Sequence, residues 1–422
     1  MTTFIIPDNV AFECQQCGMC CRNKWTIPAE PAALERFRSA QMLAVYPDVA
    51  QRTAPFDSPP FTHKLEKTPD GACVFLTSQN TCGIHARVGR EFKPANCILF
   101  PYQFTRTPRG VTVGMVFDCT GVNFESNAKR AGLDPATLED VYRHALTVHE
   151  LPAAFRLHEN GPEVDYAAYE KMQQILMRFL EPGVFPLEDG LIAGSVLLRL
   201  GDEFLREAVG KGYTAPKAMA AFFRNVEAED HALVRRLMKD FGLDPDEQRA
   251  FFDFLIQSHE TTSDTKGRME MAAKLMKQAW KRRRGKDDYR SKFLGRDLSL
   301  GAAAGIPFDP EAEPANGHLR RYLAHLVFRH LLVEHFPSLQ LGQLYLMVVY
   351  GVVRWYARAL AHGEGAPAVE GRHVREAIRV VETNFVFSNK LHQRLATEGH
   401  LKREFDRILE DKLTPYRLVR SS

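Results

Sequence analysis

The residues best suited to chemistry in this sequence are its cysteines. All eight lie between positions 14 and 119, and the rest of the 422-residue chain contains none. Cysteines used as small core hydrophobes would not segregate in this way. The first cluster reads Cys14-x-x-Cys17-x-x-Cys20-Cys21, and Cys73, Cys82, Cys97 and Cys119 follow. Two-residue spacing lets neighbouring thiolates converge on one metal ion, because the backbone between them can turn around it. Three cysteines at this spacing also resemble the ligand runs of [4Fe–4S] proteins, whose fourth ligand often comes from elsewhere. Gly18 sits inside the turn, where it tolerates positive φ.

Cys20 and Cys21 are adjacent. Adjacent side chains point apart, by about 100° on a helix. At least one of the pair is therefore expected to face a second ligand group drawn from Cys73, Cys82, Cys97 and Cys119. All eight cysteines are candidate metal ligands. They could close two zinc sites of four thiolates each. They could instead hold one [4Fe–4S] cluster, with the others structural or bound to a second centre. Thiolates serve both metals, and the ferredoxin-like spacing inclines the reading toward [4Fe–4S] over Zn. His85, three residues past Cys82, is expected to be packed or hydrogen-bonded rather than a ligand.

Other motifs are weaker. His330-Leu-Leu-Val-Glu334-His335 is one residue too long for H-x-x-E-H and is not H-E-x-x-H. It reads as a partly exposed helix pair. Lys281-Arg282-Arg283-Arg284 has no interleaved aromatics and reads as a solvated helix end rather than a nucleic-acid patch. No glycine-rich nucleotide or S-adenosylmethionine loop is present, and no catalytic acid or base can be named.

The composition sets the background. The net charge is +3, which gives no reason to expect nucleic acid or anionic lipid as a partner. The N-terminus MTTFIIPDNV lacks the basic and apolar runs of an export signal. A cytoplasmic protein is expected, where a disulfide framework is disfavoured. The most apolar stretch, Leu344 to Val353, is half the length of a membrane span and reads as a buried helix.

The elements that must position the cysteines are irregular. The runs 103–106 and 111–117 flank Pro108-Arg109-Gly110 and predict a β-hairpin. Pro28 to Tyr46 reads as helical, with Leu34, Phe37 and Leu43 as apolar positions, and 47–70 as a loop. From Asp134-Pro135, a cap and first turn, a helix is expected to run to Leu151. Further helices are expected at about 164–181, 187–209, 216–241, 245–259, 265–284, 317–336, 339–362, 369–384 and 388–412. Residues 285–314 read as a long loop. The fold class is α+β and predominantly α. A small irregular cysteine-rich domain with a β-hairpin, residues 1–128, precedes a large all-helical region, residues 129–422.

The order of motifs resembles a known family. Cys14-x-x-Cys17-x-x-Cys20-Cys21 is followed by Cys73-Val74-Phe75-Leu76, Cys82-Gly83-Ile84-His85 and Lys93-Pro94-x-x-Cys97-x-x-Phe100-Pro101. This is similar to the CxxCxxCC family of zinc- or iron-chelating proteins, which includes flagellin lysine N-methylase-like members. Trp25 resembles the tryptophan that follows the double cysteine in that branch, and the long helical C-terminal part is similar in size. Thr120 follows Cys119 where a proline is frequent, and the helical part carries no matching motif. The resemblance implies a zinc or iron–sulfur centre. In the methylase branch it implies a methyltransferase using S-adenosylmethionine on a protein such as flagellin. The alternative is a non-catalytic zinc-binding structural or interaction protein.

Overall fold

The structure, a computed structural model, describes residues 2–8, 10, 12, 14–23, 25–122, 133–228, 245–262, 288–386 and 418–419. The chain divides into two compact units, Met1–Glu150 and Leu151–Ser422. It is α+β and mostly α, with small sheets near the N-terminus and a helical C-terminal region.

The first unit is built from short pieces: β1 (Phe4–Ile5), α1 (Met19–Arg22), β2 (Pro28–Ala29), α2 (Pro31–Phe37), α3 (Ala40–Val45), β3 (Thr53–Ser58), β4 (Phe61–Leu65), α4 (Gly83–Arg87), α5 (Ala95–Leu99), β5 (Tyr102–Thr107), β6 (Gly110–Met115), α6 (Pro135–Tyr142) and β7 (His149–Glu150). The hairpin expected from sequence is β5–β6, paired antiparallel from Tyr102↔Met115 to Thr107↔Gly110. It forms the centre of a sheet of order β1-β6-β5-β7. Because β7 pairs parallel with β5, the first unit extends to Glu150. Asp134 caps α6 by accepting hydrogen bonds from the N–H groups of Ala136 and Thr137, as Asp-Pro at a helix start predicts. The helix ends at Tyr142 rather than Leu151, and the chain turns to supply β7.

Two other expectations are corrected. Residues 28–46 are not one helix: β2 precedes two helices that break at Arg38-Ser39. Ser39 caps the second, accepting from Met42 N. The restart buries Met42 and leaves Leu43 exposed. Residues 47–70 are not a loop but contain the β3–β4 hairpin, in a sheet of order β2-β4-β3. The prolines that hid it, Pro28 and Pro55, lie on the two edge strands, where a missing N–H leaves no ladder bond unmade. The core here gathers Ile27, Phe37, Met42, Tyr46, Leu65, Phe75, Ile84 and Val88, with Cys73 buried among them.

The second unit opens with a two-stranded ribbon, β8 (Phe155–Arg156) and β9 (Glu163–Val164), then runs through α7 (Tyr166–Phe179), α8 (Leu187–Gly210), α9 (Ala215–Ala228) and α10 (Pro245–Thr262). Residues 285–314, expected as a loop, hold a second ribbon from residue 288. It is β10 (Asp288–Ser291) with β11 (Arg296–Ser299), followed by α11 (Leu300–Ala304). Four residues per strand give too little periodicity to read. Then come α12 (Ala315–Phe328), α13 (Leu331–Glu334), α14 (Leu339–Gly363) and α15 (Gly371–Val381), which continues into a π-helical turn, Glu382–Val386. The 25-residue α14 is the spine. Its side chains from Leu344 to Val353 are buried all round, the condition under which an apolar run is a core helix. Among the described residues no helix is long and apolar enough to cross a membrane.

Two buried carboxylates in this core gather several hydroxyl and guanidinium donors. Glu382 accepts from Tyr322 Oη and from Arg329 Nη1, each at 2.8 Å. Glu260 accepts from the hydroxyls of Tyr289, Ser291 and Tyr356. The His330–Glu334 helix pair is also corrected. His330 has left-handed backbone, φ 67, and divides α12 from α13. It is buried, 2.7 Å from Tyr169 Oη and 3.0 Å from Gln173 Nε2. The basic run at 281–284 and the expected helices at 265–284 and 388–412 lie outside the described residues.

Candidate metal centre

The site begins with Gly18. Its φ of +71 turns the chain so that α1 carries Cys20 and Cys21 on a single helical turn, and Cys21 N donates to Gly18 O at 3.0 Å. A Cβ at this position would stand 2.7 Å from the carbonyl oxygen of Asn80. Only glycine allows that approach. Asn80, itself left-handed with φ 60, also receives Arg22 Nη2 on its side-chain oxygen. The cysteine turn and the segment 76–82 are thereby locked together.

Backbone pairing brings the distant cysteines to this turn. Cys73 N donates to Cys21 O at 2.7 Å. Isolated bridges Lys67↔Cys73 and Leu76↔Cys82 fold 66–82 into a tight double turn, closed by Gly83 N to Phe75 O at 2.7 Å. Arg52 braces it from behind: it lies over the rings of Tyr46 and Phe75, donates to Val74 O at 2.7 Å and pairs with Asp48. Cys97 rides on α5, whose first N–H, that of Ala95, donates to Glu30 Oε2. Glu30 is held by Arg36, which also donates to Lys93 O. Cys119 follows β6, and its neighbour Asp118 accepts from Asn23 Nδ2. Cys17 Sγ lies 3.1 Å from Thr120 Oγ1.

The outcome is one pocket of about 330 Å³. Cys14, Cys17, Cys20, Cys21, Cys82, Cys97 and Cys119 line it, and Cys73 lies buried behind Cys21. Cys14, Cys17 and Cys20 are exposed at its mouth. Cys21 sits among the thiols of Cys20, Cys73 and Cys82. Their mutual influence pushes the Cys21 thiol well up and holds its three neighbours down, Cys20 to about 7 and Cys82 to about 5. The Lys93 ammonium on the pocket wall favours both thiolates as well. The N–H groups of His85 and Ile84, at the start of α4, add to the effect on Cys82. Burial raises Cys97, and raises Cys119 to about 12.

Four sulfurs this close cannot all ionise unless a cation stands among them. A thiolate-binding cation relieves that conflict, because it deprotonates its thiols outright. In donor chemistry the set therefore fits a soft divalent ion or an iron–sulfur cluster. As the side chains stand, no group of three or more His, Cys, Asp or Glu among the described residues is arranged to hold a metal ion. Holding an ion would require the thiols to close in from these positions.

All eight candidate cysteines are thus placed at or directly behind one pocket. His85 is exposed on its rim rather than packed. Sequence reading did not assign roles to Asn80, Lys93 or Thr120. The signals were present: an Asn suited to left-handed backbone, and a lysine four residues before Cys97.

Residues 13–117 match the profile of the CxxCxxCC family, described as a "Putative zinc- or iron-chelating domain". No curated protein and no solved structure compared with the chain matches it.

Proposed function

We propose, with the zinc- or iron-chelating character of residues 13–117 as the premise, that the thiol pocket holds an iron–sulfur centre of the [4Fe–4S] type and that the protein is a metal-dependent enzyme modifying other proteins. The observation that carries this reading is the pocket itself. Cysteines spread from Cys14 to Cys119 face one cavity of about 330 Å³, within the size range of small-ligand sites. A structural zinc site closed by four protein ligands needs no such cavity. Cys20, Cys21, Cys73 and Cys82 would hold the metal. Held by four thiolates, the cluster would supply electron-transfer chemistry when bound. Lys93 balances thiolate charge, and Asn80 with Gly18 fixes the turn. The resemblance to lysine N-methylase-like proteins directs the proposal to methyl transfer from S-adenosylmethionine to a protein lysine, with flagellin as the substrate type.

A second reading is a zinc-binding structural or interaction protein. It is favoured by the number of thiols around Cys21, since Cys21 and its three neighbours make the four ligands of a closed zinc site.

Anaerobic purification with metal analysis and a visible spectrum separates the two. Iron with the broad visible absorption of thiolate ligation supports the first. Colourless zinc protein supports the second and sinks the first. A metal-free chain that takes up neither metal sinks both. The enzyme reading further requires a mass gain of one methyl group per modified lysine when flagellin and S-adenosylmethionine are supplied.

A further inference from the structure

We propose that Leu418–Val419 acts as a latch on the helical unit: seated, it holds the first turn of α10 against α14, and released, it frees that turn while the rest of the unit keeps its fold.

The seat is centred on Arg354 of α14. Leu418 and Val419 are both buried, and Arg354 with them. Arg354 Nη1 donates to the Val419 carbonyl at 3.0 Å. A hydrogen bond from a guanidinium is charge-assisted and stronger than a neutral one. Burial of the two apolar side chains adds to it.

The same guanidinium holds two helix ends. Its Nη1 also donates to Glu188 Oε1, in the first turn of α8, at 3.2 Å. Its Nη2 donates to Gln248 Oε1, in the first turn of α10, at 2.7 Å. Arginine presents its donors in a rigid planar fork. With the Val419 carbonyl and Glu188 sharing Nη1, Nη2 is turned to Gln248. Gln248 depends on this contact, because it is buried and its Nε2 has no hydrogen-bond partner among the described residues. Leaving both ends of a buried amide unmade is costly. The first turn of α10 therefore docks when the fork is fixed.

The remainder of α10 is held by other groups. Asp253 accepts from Trp355 Nε1 at 2.8 Å, and Glu260 accepts from Tyr289, Ser291 and Tyr356. Without the segment, Arg354 keeps Glu188, which also accepts from the Tyr350 hydroxyl, so neither charge loses its partner. Release undoes one end of one helix, which is a local opening rather than global unfolding.

Hydrogen exchange on the full chain tests the latch. The double variant Leu418→Ala/Val419→Ala should speed exchange over residues 249–252 by about ten-fold or more, the scale of losing one or two buried apolar side chains. Exchange over 256–260 and 344–353 should stay as in the wild type. If the double variant fails to fold, Leu418→Ala alone gives the same reading. In a Gln248→Leu background the latch substitutions should add little at 249–252, because the amide that needs the fork is gone. Unchanged exchange at 249–252 in the double variant would overturn the latch. So would equal acceleration over 344–353, which would make the segment an ordinary part of the common core. An undiminished effect in the Gln248→Leu background would overturn the route through Arg354.

Discussion

The first unit packs Cys21, Cys73, Cys82 and Cys97 against a core that includes Phe37, Met42, Phe75 and Ile84, and among its described residues no helix is longer than the eight residues of α6. The second is organised on the 25-residue α14, with α7, α8, α12 and α15 of 11 to 24 residues around it. Helices of one or two turns do not stand alone, and isolated bridges contribute few ladder bonds. The second unit draws its stability from buried apolar side chains. The first arranges eight sulfurs that repel one another when ionised. The contrast leads to the expectation that order around the cysteines responds to what the sulfurs bind, whereas the helical region should be indifferent to it.

The largest expected effect tests that dependence directly. Stripping metal with a chelator under reducing conditions should cost the first unit on the order of 10 kcal/mol, the apparent scale of structural zinc. Hydrogen exchange should then lose protection over residues 73–99 and keep it over 339–360. Equal loss in both regions would break the comparison. Next in size is Glu382→Ala, which removes the carboxylate facing buried Arg329 and Tyr322. It should cost about 3–5 kcal/mol, the usual penalty for leaving a buried charge without its partner. Urea unfolding of the second unit would shift while zinc content stayed constant.

A pH experiment sharpens the same contrast. Burial lowers His330 to about 4, below its ordinary value of 6.5. Between these values the unfolded chain binds the extra proton, so stability rises with pH. The contribution is fully present above pH 6.5 and is lost as pH falls toward 4. It amounts to on the order of 3 kcal/mol. His330→Gln should flatten this part of the pH–stability curve; an unchanged slope would show that His330 is not the group responsible. The smallest effect is expected from Gly18→Ala. Left-handed backbone costs a non-glycine residue about 1–2 kcal/mol, and the new Cβ meets Asn80 O at 2.7 Å. Metal content should fall and the melting of the second unit should not. Full metal loading in this variant would show that the turn is not needed to gather the thiols.

The parts legible in the sequence were those with a strong local signal. The β5–β6 hairpin, the Asp134 cap and the long α14 all follow from pattern and turn chemistry. So does the positive φ at Gly18. The placement of the eight cysteines around one pocket followed less directly. Spacing draws Cys14, Cys17 and Cys20 together, but the bond from Cys73 N to Cys21 O is a tertiary event that no window contains. The β3–β4 hairpin was masked by Pro55, and β10–β11 by its brevity. The break at His330 was hidden because a lone histidine is only a weak signal for left-handed backbone; its φ of 67 goes with a buried ring beside Tyr169 and Gln173. Lys93 was visible as a letter in a motif, and its role as a counter-charge emerged only when the pocket closed around it.

The last cysteine of the chain is Cys119, and Cys14, Cys17 and Cys20 are open to solvent. An alkylating fluorophore added to the wild-type protein therefore tags one end of the polypeptide and leaves everything beyond it dark. Trp355, on the spine helix with its indole N–H on Asp253, contributes native emission from the opposite half. Tryptophan emission itself comes from both parts, Trp25 in the first and Trp280 and Trp355 in the second, so it is the thiol label that tells them apart.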